Sequence, residues 1–226
     1  MKEELWLIWK NPTTRRRYKV GILIKENNKY KFYYSNPELD DAKNDGFNYY
    51  PGFDDITKVY ESNTLFTNIM TRLPNESRPD YLEILNYYNL NKDSNDIEIL
   101  KATRGRTMTD NYEFVSAFDP SKIEFDVAGT SHCKDIKKCH NLLKINKKLY
   151  LTPEPTNKFD KYAIKIIFKE NNKNYHLGYV PRYYCKQLLA ELEKGTEYSA
   201  MIQGLNLEST FSDENITAHV KLIFNI

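Results

Sequence analysis

The sequence has little cysteine, almost no net charge and no long apolar run. Its three cysteines are an odd count, which argues against a disulfide framework. A net charge of +2 supplies no global field to draw the chain onto nucleic acid. Any nucleic-acid site must therefore be a local groove. The opening "MKEELWLIWK" has an apolar run of only Leu5–Trp9 before a charge, too short for a signal-peptide core or a membrane span. No later segment approaches the ~20 apolar residues of a spanning helix, so the expected setting is reducing and cytoplasmic. Internal repeats and low-complexity tracts are absent as well.

What is present is a soluble composition rich in tyrosine. Hydrophobic residues make up 40% and charged residues 28% of the 226, ordinary for a globular chain with room for one large or two small domains. Aromatics reach 14%, with 18 Tyr and 11 Phe. Tyrosine at that level suits strands and contact surfaces, where an apolar ring and a polar tip are both used. Residues 1–118 hold 17 basic and 18 acidic side chains, and residues 119–226 hold 16 and 13. The positive excess lies in the second half.

The pattern predicts two α+β, strand-rich domains. "ELWLIW", "YKVGILI" and "YKFYYS" read as strands, the last two joined by an "ENNK" turn as a hairpin. "NPELDDAKNDGFNYYPGFDD" reads as a polar loop. Helical spacing follows in "NTLFTNIMTRL", capped by Asn63 or Thr64, in "RPDYLEILNYYNL" with Pro79 in its first turn, and in "SNDIEILKATRG", capped by Ser94 or Asn95 and ended by Gly105. "AFDPSK" reads as a linker. Strands return in "KIEFDVAG", "KKLYLTPEP", "YAIKIIFKE" and "YHLGYVP". A helix from Pro181 to Gly195 and the strands "EYSAMIQGLN" and "ITAHVKLIFNI" complete the chain. The expected domains are residues 1–116, a sheet with short helices, and 122–226, strands with one helix.

"EPTNKFDKYAIK", residues 154–165, starts like a turn and ends like a strand. Turn residues are usually small, and Phe159 is not. Two readings are open. Either Asn157 and Asp160 cap the turn and Phe159 is core, or this is the rim of a groove. Together with "FDVAGTSHC" and the later run Gly178-Tyr179-Val180-Pro181 into a helix, the stretch resembles the HIRAN domain over about residues 122–225. That resemblance implies an OB-like barrel that grips the 3′ end of single-stranded DNA. It implies that Phe159 stacks on a base and that Asp160 accepts a hydrogen bond from the terminal hydroxyl. Asn157 would lie nearby, and Tyr179 and Arg182 would face the last nucleotides or phosphates. "GTSHC" places Ser131 and His132 where the end-binding domains carry an Arg and a Tyr. Lys158 and Lys161 flank Phe159, and basic residues interleaved with aromatics suit a single strand.

In the first half, Gly21, the "YKFYY" strand, the "PGF" turn and the Arg72-Leu73-Pro74 helix end resemble the small N-terminal subdomain of HipA-type Ser/Thr kinases, over residues 3–115. That likeness implies a protein-docking domain of the kind found in bacterial toxin–antitoxin systems. No kinase chemistry accompanies it. A Gly-rich phosphate loop leading into a Lys strand, a His-Arg-Asp-type loop and an Asp-Phe-Gly are all missing.

Three clusters remain. In "SHCKDIKKCH", His132 and Cys133 are adjacent, as are Cys139 and His140. Neighbours on a strand face opposite ways, so a shared zinc ion is disfavoured and buried thiols are expected. "TRRRYK" (Arg15, Arg16, Arg17, Lys19) reads as a solvated turn face, and "TRGRTMTD" (Arg104, Gly105, Arg106, Asp110) as a helix C-terminus with cations near the dipole. The combined expectation is a non-enzymatic, nucleic-acid-binding adaptor without cofactor or metal. Its DNA site would comprise Ser131, His132, Asn157, Lys158, Phe159, Asp160, Tyr179 and Arg182, and its N-terminal domain would dock a partner protein. The competing expectation is an antitoxin-like regulatory subunit of a HipA-type kinase system.

Overall fold

The computed structural model describes residues 2–35, 37–206 and 217–225. The chain divides into two compact units, Met1–Ala117 and Phe118–Ile226.

The first unit is an antiparallel five-stranded sheet with short helices. Its strands are β1 (Lys2–Lys10), β2 (Arg17–Glu26), β3 (Lys29–Tyr34), β4 (Tyr60–Ser62) and β5 (Tyr112–Ser116), in the order β4-β3-β2-β1-β5. Asn27 and Asn28, with φ of 50° and 58°, make the β2–β3 turn. Two successive left-handed residues match the strand twist, and Asn tolerates that region better than most. The helices are α1 (Glu38–Asn44), α2 (Thr67–Met70), α3 (Tyr81–Tyr87) and α4 (Asp96–Thr103).

Three expectations change here. The polar loop contains α1, because Leu39 and Ala42 fall three apart and bury one face while Glu38, Asp40 and Asp41 sit in its first turn, complementing the dipole. The helix expected from Asn63 or Thr64 starts only after Phe66, whose ψ of 135° is not helical. Leu65 instead enters the core from extended chain. Asp80, not Pro79, immediately precedes α3. By contrast α4 has the expected Asn95 cap, closed as a capping box with Glu98. Arg104 takes the left-handed position at its end, one residue before Gly105. Phe32 stacks on Phe53 at 4.1 Å in the centre of the aromatic core.

The second unit holds β6 (Ile123–Asp126), β7 (Lys148–Pro153), β8 (Ile164–Glu170), β9 (Lys173–Tyr179), β10 (Tyr198–Asn206) and β11 (Thr217–Phe224). They form one antiparallel sheet, β6-β11-β10-β7-β8-β9. Leu149, Ile166, Phe168, Ala200, Ile202 and Val220 face its core. The expected barrel is not closed. Among the described residues the two sheet edges meet at the single pair Ala128–Tyr179, whose two backbone hydrogen bonds are each 2.8 Å. The short β6 allows no more, since the chain leaves it at Gly129 with φ 74°. Among the described residues this unit has two α-helices rather than one: α5 (Lys134–Cys139) and α6 (Arg182–Glu193). α5 protects the β9 edge, where the His176 N–H donates to Asp135 Oδ2 at 3.3 Å, a common way to keep a strand edge from pairing elsewhere.

Candidate nucleic-acid interface

The connection from β7 to β8, residues 154–163, is closed at its base by the Glu154 N–H donating to the Ala163 carbonyl at 2.8 Å. Asn157 organises its tip. Its Oδ1 accepts from the Phe159 N–H at 2.9 Å and the Asp160 N–H at 3.2 Å. Asp160 repeats the device, its Oδ1 accepting from the Tyr162 N–H at 2.9 Å. Two successive side-chain-to-backbone turns of this kind fix a loop without a core beneath it. Phe159 is 77% exposed, so the reading of it as core is overturned. Ala163 and Ile164 behind it are buried.

One carboxylate ties this turn to β9. Glu154 Oε2 accepts from Asn157 Nδ2 at 2.8 Å and from the Tyr179 hydroxyl at 3.0 Å. Its Oε1 lies 2.5 Å from Lys165 Nζ. Hydrogen bonding from Lys165, then from Asn157, outweighs the opposing desolvation and holds the Glu154 carboxyl at about 2. Burial, reinforced by that carboxylate, pushes the Tyr179 phenol up to about 12. At neutral pH one is a full anion and the other a full donor. Neither Glu154 nor Lys165 was among the expected site residues. The available signal was an acid three positions before Asn157.

Tyr179 is held on its other side by Gly178, whose φ is +150°. A Cβ at that position would lie 2.5 Å from the Ala128 carbonyl oxygen, so only glycine lets the two edge strands meet. The His176 ring stands edge-on to Tyr179, with centroids 4.8 Å apart. Its Nε2 is 3.0 Å from the Gly178 carbonyl, to which it donates. Burial lowers the His176 pKa and favours the neutral ring. Its Nδ1 lies 3.8 Å from Cys133 Sγ.

The structure thus brings Asn157, Phe159, Asp160 and Tyr179 together around Glu154. Lys158 is exposed beside Phe159 on the same turn. Ser131 and His132 are exposed in a 3-10 turn directly after Gly129, and a Cβ at Gly129 would lie 3.8 Å from the Tyr179 ring. Arg182 opens α6 and is half-buried. The cysteine–histidine segment is helical rather than extended, and its two cysteines are buried. Burial pushes the Cys139 thiol up to about 11. Among the described residues no three His, Cys, Asp or Glu side chains converge as a metal site. No described helix is long and apolar enough to cross a membrane.

The second unit is therefore an antiparallel β-domain with an exposed aromatic held on a polar rim. Residues 121–221 match the family model of the HIRAN domain, and this match assigns a HIRAN domain to that stretch. Two solved structures align with part of the chain. One is a protein from Lactobacillus plantarum, at 19% identity and a TM-score of 0.37, covering 44% of this chain and 87% of that one. The other is the HIRAN domain of human HLTF, at 16% identity and a TM-score of 0.35, covering 46% of this chain and 74% of that one. A comparison with curated proteins yields no match. The expected HipA-type likeness of residues 1–116 is not shown by these comparisons.

Proposed function

We propose that this chain is a non-enzymatic adaptor that holds single-stranded DNA, with a preference for 3′ ends, in its HIRAN domain. The observation that carries this reading is the exposure of Phe159 on a turn whose backbone Asn157 holds in place. A ring presented this way is a stacking platform for a base, worth about 1–3 kcal/mol irrespective of sequence. Asp160 keeps Oδ2 for a hydroxyl donor, since a carboxylate accepts about four hydrogen bonds and Tyr162 uses one. Inside a strand a phosphate would repel it, so Asp160 favours an end by disfavouring everything else. Lys158 and Arg182 face phosphates, Tyr179 closes the floor, and Ser131 and His132 line the opposite wall. The first unit serves as the docking domain for a protein partner.

Fluorescence anisotropy with short labelled oligonucleotides at about 50 mM salt, where phosphate contacts are strongest, tests this. Oligonucleotides with a free 3′ hydroxyl are expected to bind more tightly than 3′-phosphorylated ones. Absence of any binding ends the reading. Equal binding of both ends only the role given to Asp160.

A further inference from the structure

β7 and β8 turn Leu149, Leu151, Ile166 and Phe168 inward. The alternate positions, Lys148, Tyr150, Lys165, Ile167 and Lys169, therefore face outward. Leu149 pairs with Phe168, and continuing that register by one residue sets Lys148 opposite Lys169. Like charges directly opposite one another destabilise a strand pair. Both ammoniums lie over the Tyr150 ring, at 5.4 and 4.2 Å from its centroid, and this attraction offsets part of the repulsion. Nearby carboxylates are already used by other lysines: Glu170 by Lys147 at 2.9 Å and Glu154 by Lys165 at 2.5 Å. Neither Lys148 nor Lys169 has an ion-pair partner among the described residues. Met201 of β10 pairs with both Lys148 and Lys221, which extends the basic row across the sheet.

This row is continuous with the rim. Lys165, bound to Glu154, stands on the same face and pairs with Tyr179. Lys169 lies four residues further along β8, about 13 Å at strand rise. We infer that Lys148 and Lys169, oriented by Tyr150, form a second contact for the phosphodiester backbone of a single strand leading away from the Asn157–Asp160 turn. This rests on the reading of that turn as a strand-end site. The occupant follows from charge: two ammoniums held side by side, with no carboxylate among the described residues paired to either, are relieved by phosphates. The opposition of the two lysines is then a local destabilisation that a bound strand removes.

The test uses the full chain and 5′-labelled oligonucleotides of about 4 and about 12 nucleotides with free 3′ hydroxyls, spanning the site sizes such domains use. The wild type, a Lys148→Gln/Lys169→Gln double variant and Phe159→Ala are titrated over a range of salt. The wild type is expected to hold the longer strand more tightly than the shorter. The double variant loses that gain, and its salt slope for the longer strand becomes shallower by about 1.4, two single-strand phosphate contacts' worth. Its thermal midpoint stays equal or rises, and its affinity for the shorter strand is unchanged. An unchanged slope and affinity for the longer strand, with the shorter still dependent on Phe159, overturns the second contact and leaves the turn standing. Equal losses for both lengths also overturn it. If no strand binds to any form, both readings fall together.

Discussion

The Tyr179 hydroxyl donates to Glu154 Oε2 at 3.0 Å, linking the end of β9 to the turn that carries Phe159. Because Asn157 donates to the same oxygen, the carboxylate sets the positions of Tyr179 and of the turn's organising Asn157 at once. Glu154→Ala removes the acceptor of both hydrogen bonds and leaves Lys165 without this partner. Binding of a short strand should weaken about tenfold, since a hydrogen bond to a charged group is worth about 1.5–3 kcal/mol and some is recovered from water. Glu154→Asp, which keeps the charge but is shorter by a methylene, should recover part of it. The comparison is made by anisotropy, with thermal melting as the control. A Glu154→Ala affinity equal to wild type would remove the carboxylate from the site.

Phe159→Ala separates recognition from folding. The ring is 77% exposed, so its truncation should leave the thermal midpoint unchanged within error, as surface substitutions do to about 0.5 kcal/mol. Affinity for a single strand should fall by about 1–3 kcal/mol, the value of one stacked base. Phe159→Tyr should restore it. A melting-point loss without an affinity loss would mean the ring has a structural role after all.

Where backbone chemistry dictated the outcome, the sequence was legible. "ENNK" announces a hairpin because adjacent asparagines tolerate the two left-handed positions the turn needs. The same solution recurs at Asn171 and Asn172, with φ of 50° and 58°, between β8 and β9. Asn95 and Gly105 bracket α4 for similarly local reasons. The rim was legible as a cluster of types, but not in its wiring. Glu154 acts only because β8 and β9 bring Lys165 and Tyr179 to it, and long-range pairing of that kind has no one-dimensional signature. α1 escaped notice because a helix with two buried positions and an acidic first turn has the composition of a loop. α5 escaped because its cysteine–histidine pairs were read as neighbours on a strand. Its burial of Ile136 and Cys139 depends on the exposed edge of β9.

Glu113 makes the first unit sensitive to acid. The buried carboxylate accepts from Arg106 Nε and Nη2 at 2.8 and 2.6 Å, with Arg17 and Arg104 at 3.4 and 3.7 Å. Burial alone would raise its pKa, but Arg106, Arg104 and Arg17 outweigh it and hold the group at about 2. A carboxylate depressed in the folded state contributes stability that is full above its unfolded value and is lost as pH falls through the folded one. Here the window runs from the ordinary 4.5 down to about 2. The contribution is on the order of 3 kcal/mol. Urea midpoints should fall between about pH 5 and about pH 3, and Glu113→Ala, which strands three guanidiniums, should lower stability by about 3–5 kcal/mol at neutral pH. A wild-type midpoint that does not move over this range would contradict the assignment.

Gly178 and Gly204 offer a matched pair of substitutions within one sheet. Alanine at Gly178 must adopt φ near +150° and place its Cβ 2.5 Å from the Ala128 oxygen and 2.6 Å from Val127 Cγ1. The first demand is a strained backbone, about 1–3 kcal/mol. The second pushes apart the Ala128–Tyr179 bridge, the one pair between the two sheet edges among the described residues. Alanine at Gly204 meets its nearest neighbour, His219 Cβ, at an ordinary 3.6 Å and should change stability by no more than about 0.5 kcal/mol. Hydrogen exchange gives the sharper readout. In Gly178→Ala the Ala128 and Tyr179 amides, now bonded to each other's carbonyls at 2.8 Å, should exchange faster than the β7–β8 ladder amides. Strand binding should drop with them, because Tyr179 loses its fixed position beside Glu154. If both amides stay protected in Gly178→Ala, the bridge does not depend on the missing side chain.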